Sequence, residues 1–282
     1  MSEWGSIRER GASAGPVMGI VNVTPDSFSD GGRWPDPERA IAHGLELLAQ
    51  GAAVLDVGGE STRPGAEPVP TEVEIARVVP VVAALAPHTL VSVDTMKAAV
   101  AEAAVAAGAG VVNDVSAGSH DPDMLHVVAD AGVGFIAMHM QGEPRTMQHD
   151  PHYDDVVAEV VDHLRARCDA AVSAGVAPES LMVDPGIGFG KTVDHNVALL
   201  AHLDTLVERI EVPVLIGASR KSFLGVIAGT GDDPAEREAA TIATTVWAFE
   251  RGAAMVRVHD VAASVRAAAV LDRLQRSTTV AA

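Results

Sequence analysis

The chain has 282 residues, of which 48% are hydrophobic and only 3% aromatic, and it carries a formal charge of −18. That length suits one barrel or two small domains, and a core drawn mainly from Ala, Val, Leu and Ile suits strands covered by helices on both faces. The acidic balance disfavours nucleic acid and anionic membrane as partners, and a single cysteine, Cys168, excludes an internal disulfide framework.

Residues 1–15 carry charges of both signs and no apolar run, which predicts a tail and no signal peptide. A first strand is expected from Pro16 (PVMGIVN), followed by a helix over Asp36–Gly51 that opens on Asp-Pro and closes on Gly. Further strands are expected from Ala52 (AAVLDV), Thr89 (TLVSVD), Gly110 (GVVND) and Gly134 (GFIAMH). The series continues from Ser180 (SLMVDP), Pro213 (PVLIGA) and Ala254 (AMVRVH). Helix-period segments separate them, among them Met96–Gly110 and Tyr153–Gly175, and Ala-Gly recurs at helix exits at Ala107, Ala131 and Ala174. Strands alternating with helices predict a parallel sheet, and eight such units predict one closed (β/α)8 TIM barrel over residues 16–276. Residues 277–282 are expected as a second tail. No run reaches the roughly 18 apolar residues of a membrane span. With the lone cysteine, this predicts a cytoplasmic chain.

Nearly every predicted strand ends on a polar residue: Asn22, Asp56, Asp94, Asn113 with Asp114, His139, Asp184, and Arg257 with His259. A single Asp at a strand end is commonly a turn or cap residue, but the C-terminal strand ends of a barrel converge on one mouth, where its active sites lie. The run Pro185–Thr192 misses the phosphate-loop pattern because Pro stands where Gly is needed, so it is expected as a Gly-rich turn that lets a flat ligand approach the backbone. In Gly217–Ser222 both Arg220 and Lys221 are expected to face an anion or a carbonyl-rich ring. His149 and His152 form a loose pair without a third ligand at normal spacing, which predicts a solvated loop. Cys168 lies in a helical pattern and is expected as a packed thiol.

The runs Met18–Gly32, Asp56–Gly65, Ser92–Thr95, Asn113-Asp114, Met138-His139 and Gly142–Gln148 are similar to the motifs of dihydropteroate synthases. So are Asp184–Lys191, Gly217–Gly225 and Arg257–Asp260, so that the resemblance spans about residues 17–260 in order. It implies a homodimeric enzyme that joins p-aminobenzoate to a pterin diphosphate with Mg²⁺. It further implies that Asp94, Asn113, Asp184 and Lys221 hold the pterin, with Met138, Phe189 and Gly217 lining its slot. Asn22, Thr62, Arg257 and His259 would take the diphosphate, with Asn22 also on Mg²⁺. Phe28, Thr62, Arg63, Pro64, Phe189 and Ser222 would form the p-aminobenzoate pocket. Asp30, Arg63, Asp94 and Lys221 would act on the reacting centre, the first two from loops that close over it.

The residue types suit that chemistry. A pterin edge offers amino and ring N–H donors beside a carbonyl, which calls for buried carboxylates as acceptors and an amide or ammonium as donor. Two other enzymes remain compatible with such a barrel: a corrinoid-dependent methyltransferase module, and an aldolase using Lys221 as a Schiff base. A binding paralogue without turnover is a third alternative. A cobalamin segment, a desolvated Lys221 free of ion pairs, or the loss of Asp30, Arg63 or Lys221 would mark these in turn. The sequence has neither the first nor the last.

Overall fold

The computed structural model describes residues 5, 15–24, 37–62, 65–231 and 233–279. Eight parallel strands occupy the expected places: β1 (Val17–Asn22), β2 (Val54–Gly58), β3 (Leu90–Asp94), β4 (Val111–Asp114), β5 (Gly134–Met138), β6 (Leu181–Asp184), β7 (Leu215–Ile216) and β8 (Met255–Val258). They run in the order β6-β5-β4-β3-β2-β1-β8-β7. A parallel bridge between Val183 and Val214, with the Val183 amide donating to Pro213 at 2.9 Å, joins β6 to β7 and closes the barrel. The expected TIM barrel is therefore the fold.

The helices are α1 (Pro37–Ala49), α2 (Thr71–Leu85), α3 (Ala98–Ala106), α4 (Met124–Ala131) and α5 (Val156–Ser173). They continue as α6 (Val193–Ala201), α7 (Leu203–Ile210), α8 (Ser222–Ala228), α9 (Glu238–Glu250) and α10 (Val261–Thr279). The Ala-Gly exits act as read, since Gly108, Gly132 and Gly175 all adopt positive φ just past helix ends. At the start of α5, Asp155 Oδ1 accepts from the amides of Val157 and Ala158. Two departures concern extent. The connections after β6 and β7 each hold two helices, and α10 runs to Thr279, three residues into the segment expected as a tail. Among the described residues no helix is long and apolar enough to cross a membrane.

The barrel interior follows from period-2 alternation. Met18, Val54, Leu90, Val111, Ile136, Met182, Leu215 and Met255, one from each strand, pack together as an apolar floor. Two residues further along the same strands stand Ile20, Asp56, Ser92, Asn113, Met138, Asp184, Gly217 and Arg257. Intervening residues such as Leu55, Val91, Phe135, Val183 and Val256 join the outer core against the helices. One alternation thus buries a hydrophobic floor and raises a polar layer directly above it.

Candidate active site

The polar layer is tied together across the barrel. Arg257 Nε donates to Asp56 Oδ2 at 2.5 Å, and its Nη2 donates to Asp94 Oδ2 at 2.7 Å. Asn113 Nδ2 donates to the same Asp56 oxygen at 3.1 Å. Asp184 accepts from the Gly186 amide at 2.7 Å, and a Cβ at Gly217 would stand 3.3 Å from its other oxygen. Gly217 therefore keeps the floor of the slot open beside that carboxylate. Met138, 4% exposed, belongs to the same layer.

Three carboxylates around Arg257 and Lys221 leave the site rich in acceptors. Asp56 Oδ1, Asp94 Oδ1 and Ser92 Oγ are buried without a hydrogen-bond partner among the described residues. Orphaned acceptors of this kind are costly unless a ligand supplies donors. Burial raises the Asp94 carboxyl well above the usual carboxylate range, with Arg257 opposing and the Asp56 charge adding to the effect. Burial also raises Asp184, against the pull of Lys221. Burial alone would weaken the Arg257 charge, but Asp56 and Asp94 more than offset this. Its two side-chain bonds use two of five guanidinium donors, so a ligand anion can still be met.

Lys221 comes to the site through an unusual backbone. Arg220 sits at φ 57°, a left-handed conformation costing a side-chain-bearing residue about 1–2 kcal/mol. The surroundings enforce it: the Arg220 amide donates to Thr241, its carbonyl accepts from Arg237, and its Nε bonds Glu238 at 2.9 Å. The expectation that Arg220 and Lys221 both face the ligand is thus corrected, because the turn sends Arg220 to Glu238 and Lys221 into the mouth. The Lys221 ammonium donates to the Ile187 carbonyl and lies 4.5 Å from the centre of the Phe189 ring. Burial lowers its amine to about 8, with Asp184 opposing.

Two strand-end residues are corrected as well, and parity is the reason. Asp114 follows the inward Asn113 and therefore points outward, where it accepts from the Ser116 and Gly118 amides at 2.7 Å as a turn residue. His139 follows Met138 and faces α5, with its ring 4.8 Å from that of His163. At the rim, the backbone amide of His259 donates to Ser219 Oγ, whose hydroxyl also lies 2.9 Å from His259 Nδ1. Asn22 ends β1 opposite Gly58. Thr62 follows β2 and Ser222 opens α8, and the strand order sets β1 and β8 between the strands preceding them. Phe28, Asp30, Arg63 and Pro64 lie outside the described residues.

His149 and His152 are both exposed, and His152 lies 3.5 Å from Asp154. Cys168 is buried, and burial raises its thiol to about 11, as a packed residue requires. Sequence reading left Asp56 without a role, although its spacing from the apolar floor equals that of Asn113, Asp184 and Arg257. It also overlooked Lys97, which bonds Glu60, Glu74 (2.6 Å) and the Val69 carbonyl (2.7 Å) and so ties down the base of the β2 loop that carries Thr62.

Comparison with known proteins agrees with this geometry. The family described as pterin binding enzyme matches residues 18–259. A dihydropteroate synthase of Mycobacterium leprae is 51% identical over 261 residues, covering 90% of this chain and 92% of that one. The structure of Xanthomonas albilineans dihydropteroate synthase with 4-aminobenzoic acid superposes with a TM-score of 0.86 at 52% identity, covering 92% of this chain and 93% of that one. Another from the same organism, in complex with 7,8-dihydropteroate, gives 0.83 at 48% identity with the same coverage. The acceptor-rich layer above the apolar floor and these similarities converge, and the chain belongs to the dihydropteroate synthases of the pterin binding enzyme family.

Proposed function

We propose that this transferase condenses 6-hydroxymethyl-7,8-dihydropterin diphosphate with p-aminobenzoate, giving 7,8-dihydropteroate and pyrophosphate in folate biosynthesis. The observation that carries the reading is the buried layer of Asp56, Asp94, Asn113 and Asp184 beside Lys221, in which oxygens of Asp56 and Asp94 have no hydrogen-bond partner among the described residues, above a hydrophobic floor. Asp184 and Asp94 accept from the pterin's amino edge and ring N–H groups, while Asn113 and Lys221 donate to its ring nitrogen and carbonyl. Arg257 and His259, with Thr62 and Asn22 at the rim, meet the diphosphate.

The bond from the pterin methylene to the diphosphate oxygen breaks first, and pyrophosphate leaves with the electron pair. The methylene cation is delocalised into the pterin ring and is stabilised by nearby carboxylates, Asp94 below and Asp30 from the first loop. The aniline nitrogen of p-aminobenzoate then attacks, and its extra proton passes to solvent. That nitrogen is neutral at pH 7, so no strong base is required. Arg63 would act on this centre, and Phe28, Thr62, Pro64, Phe189 and Ser222 would form the p-aminobenzoate pocket.

Mg²⁺ would be held at the rim by Asn22, at the end of β1. The side-chain oxygen of Asn22 offers a hard ligand at the rim, and Mg²⁺ characteristically takes few protein ligands together with substrate phosphates. When bound it neutralises charge on the leaving pyrophosphate. The chain works as a homodimer in the cytoplasm on this reading, which the buried, unpaired Cys168 supports for the compartment. The test is pyrophosphate release, which is expected only when both the pterin diphosphate and p-aminobenzoate are present. Release with the pterin alone at the full rate would overturn the assignment.

A further inference from the structure

We infer that Lys191, which lies behind the Gly-rich turn and outside the barrel mouth, is a positioning residue that fixes Phe189 for p-aminobenzoate; this rests on the pocket assignment above. The turn itself is short of constraint. Gly186, Gly188 and Gly190 all adopt positive φ, so the Phe189 peptide is flanked by residues with wide backbone freedom.

Side chains from elsewhere remove that freedom carbonyl by carbonyl. Ile187 O accepts from Lys221, Gly188 O from Gln148 Nε2 at 2.6 Å, Phe189 O from Lys191 Nζ at 3.0 Å, and Gly190 O from the Tyr153 hydroxyl at 2.9 Å. The Gly188 amide donates to Asn196 Oδ1 at 2.6 Å. Four consecutive carbonyls are therefore each held by a side chain.

Lys191 is the member whose presence most needs a reason. It is 3% exposed, and the one carboxylate whose charge acts on it, Asp184, only partly opposes the effect of burial. Its Nζ instead lies 2.9 Å from His139 Nδ1 and 5.9 Å from the centre of the Tyr153 ring. Burial lowers its amine to about 7, and burial together with the Lys191 charge keeps His139 neutral and able to accept. An apolar residue would fill this space at less electrostatic cost. What it could not do is hold the Phe189 carbonyl from behind while the Phe189 ring meets Lys221 in front. The outward-facing His139 thereby gains a part, as the acceptor that seats Lys191.

Steady-state kinetics on the intact enzyme test this with Lys191→Met, Tyr153→Phe, Phe189→Ala and the Phe189→Ala/Lys191→Met pair. Lys191→Met is expected to raise KM for p-aminobenzoate about tenfold, with kcat and the KM for pterin diphosphate changed by less than about threefold, the loss of one charge-assisted bond. Tyr153→Phe keeps the buried ring and should move the same constant in the same direction by about threefold, which covers the case in which Lys191→Met does not fold. The double variant should match Phe189→Ala, because both changes act through one ring. If Phe189→Ala raises that KM but Lys191→Met and Tyr153→Phe do not, the positioning role is overturned and the pocket assignment stands. If Phe189→Ala has no effect, both fall. Equal losses for the two substrates in Lys191→Met would also overturn the inference, by marking a general structural role.

Discussion

Asp184 offers the sharpest separation of a binding role from a scaffold role. It is 4% exposed, and its Oδ1 accepts from the Gly186 amide at 2.7 Å while Oδ2 faces the slot beside Gly217. Asp184→Asn keeps an oxygen for Gly186 and replaces the slot-facing acceptor by a donor. A charge-assisted bond to the pterin edge is worth about 1.5–3 kcal/mol, so affinity should fall about 10- to 100-fold. Asp184→Ala loses the same bond and also strands the buried Gly186 amide, at a further cost of about 1–3 kcal/mol in stability. For a chain of this size that lowers the melting temperature by roughly 2–5 °C. Calorimetric titration with a hydroxymethyl pterin lacking phosphates, together with melting of both variants, checks the pair of effects. The reasoning fails if Asp184→Asn binds within about twofold of the parent, or if it melts as low as Asp184→Ala.

Three further expectations follow from the same geometry. Burial holds the Lys221 amine at about 8, so the donating ammonium is lost as pH rises through that value. kcat/KM for pterin diphosphate should fall on the alkaline side with a limb near 8, which Lys221→Arg should remove from that range. The folding linkage has the opposite sign: the unfolded lysine binds more protons between about 8 and its ordinary 10.5, so this residue's contribution to stability rises across that window. Arg257→Ala should weaken pterin diphosphate by at least about tenfold more than the matching hydroxymethyl pterin, since calorimetry with both ligands isolates the phosphate contact; equal losses would place Arg257 on the ring. Gly186→Ala would put a Cβ 1.8 Å from the His139 carbonyl at φ 67°, and should cost about 2–5 kcal/mol by overpacking and backbone strain. A melting temperature within about 2 °C of the parent would refute that steric reading.

The strands, their parallel order and the closed barrel were legible in the sequence because the signals are local: short β-rich runs, helix-period segments and glycine exits in strict alternation. The polar strand ends were legible for the same reason, and counting parity would have gone further. Asp56, Asn113, Asp184 and Arg257 each stand two residues beyond a floor residue, whereas Asp114 and His139 fall on the odd step, the first bonding its own turn and the second facing α5. Only the tertiary structure decided who partners whom. Arg257 and Asp56 are 201 positions apart, and nothing in either local run specifies their bond until the ring brings β8 and β2 to either side of β1. The direction of Arg220 depended on Glu238, Thr241 and Arg237, which arrive from a later helix and the turn before it. The seat of Lys191 likewise required His139 from another strand and a turn whose glycines, by their own freedom, dictate no single conformation. Periodicity determines which face a residue takes within its element, while closure of the barrel determines what that face meets.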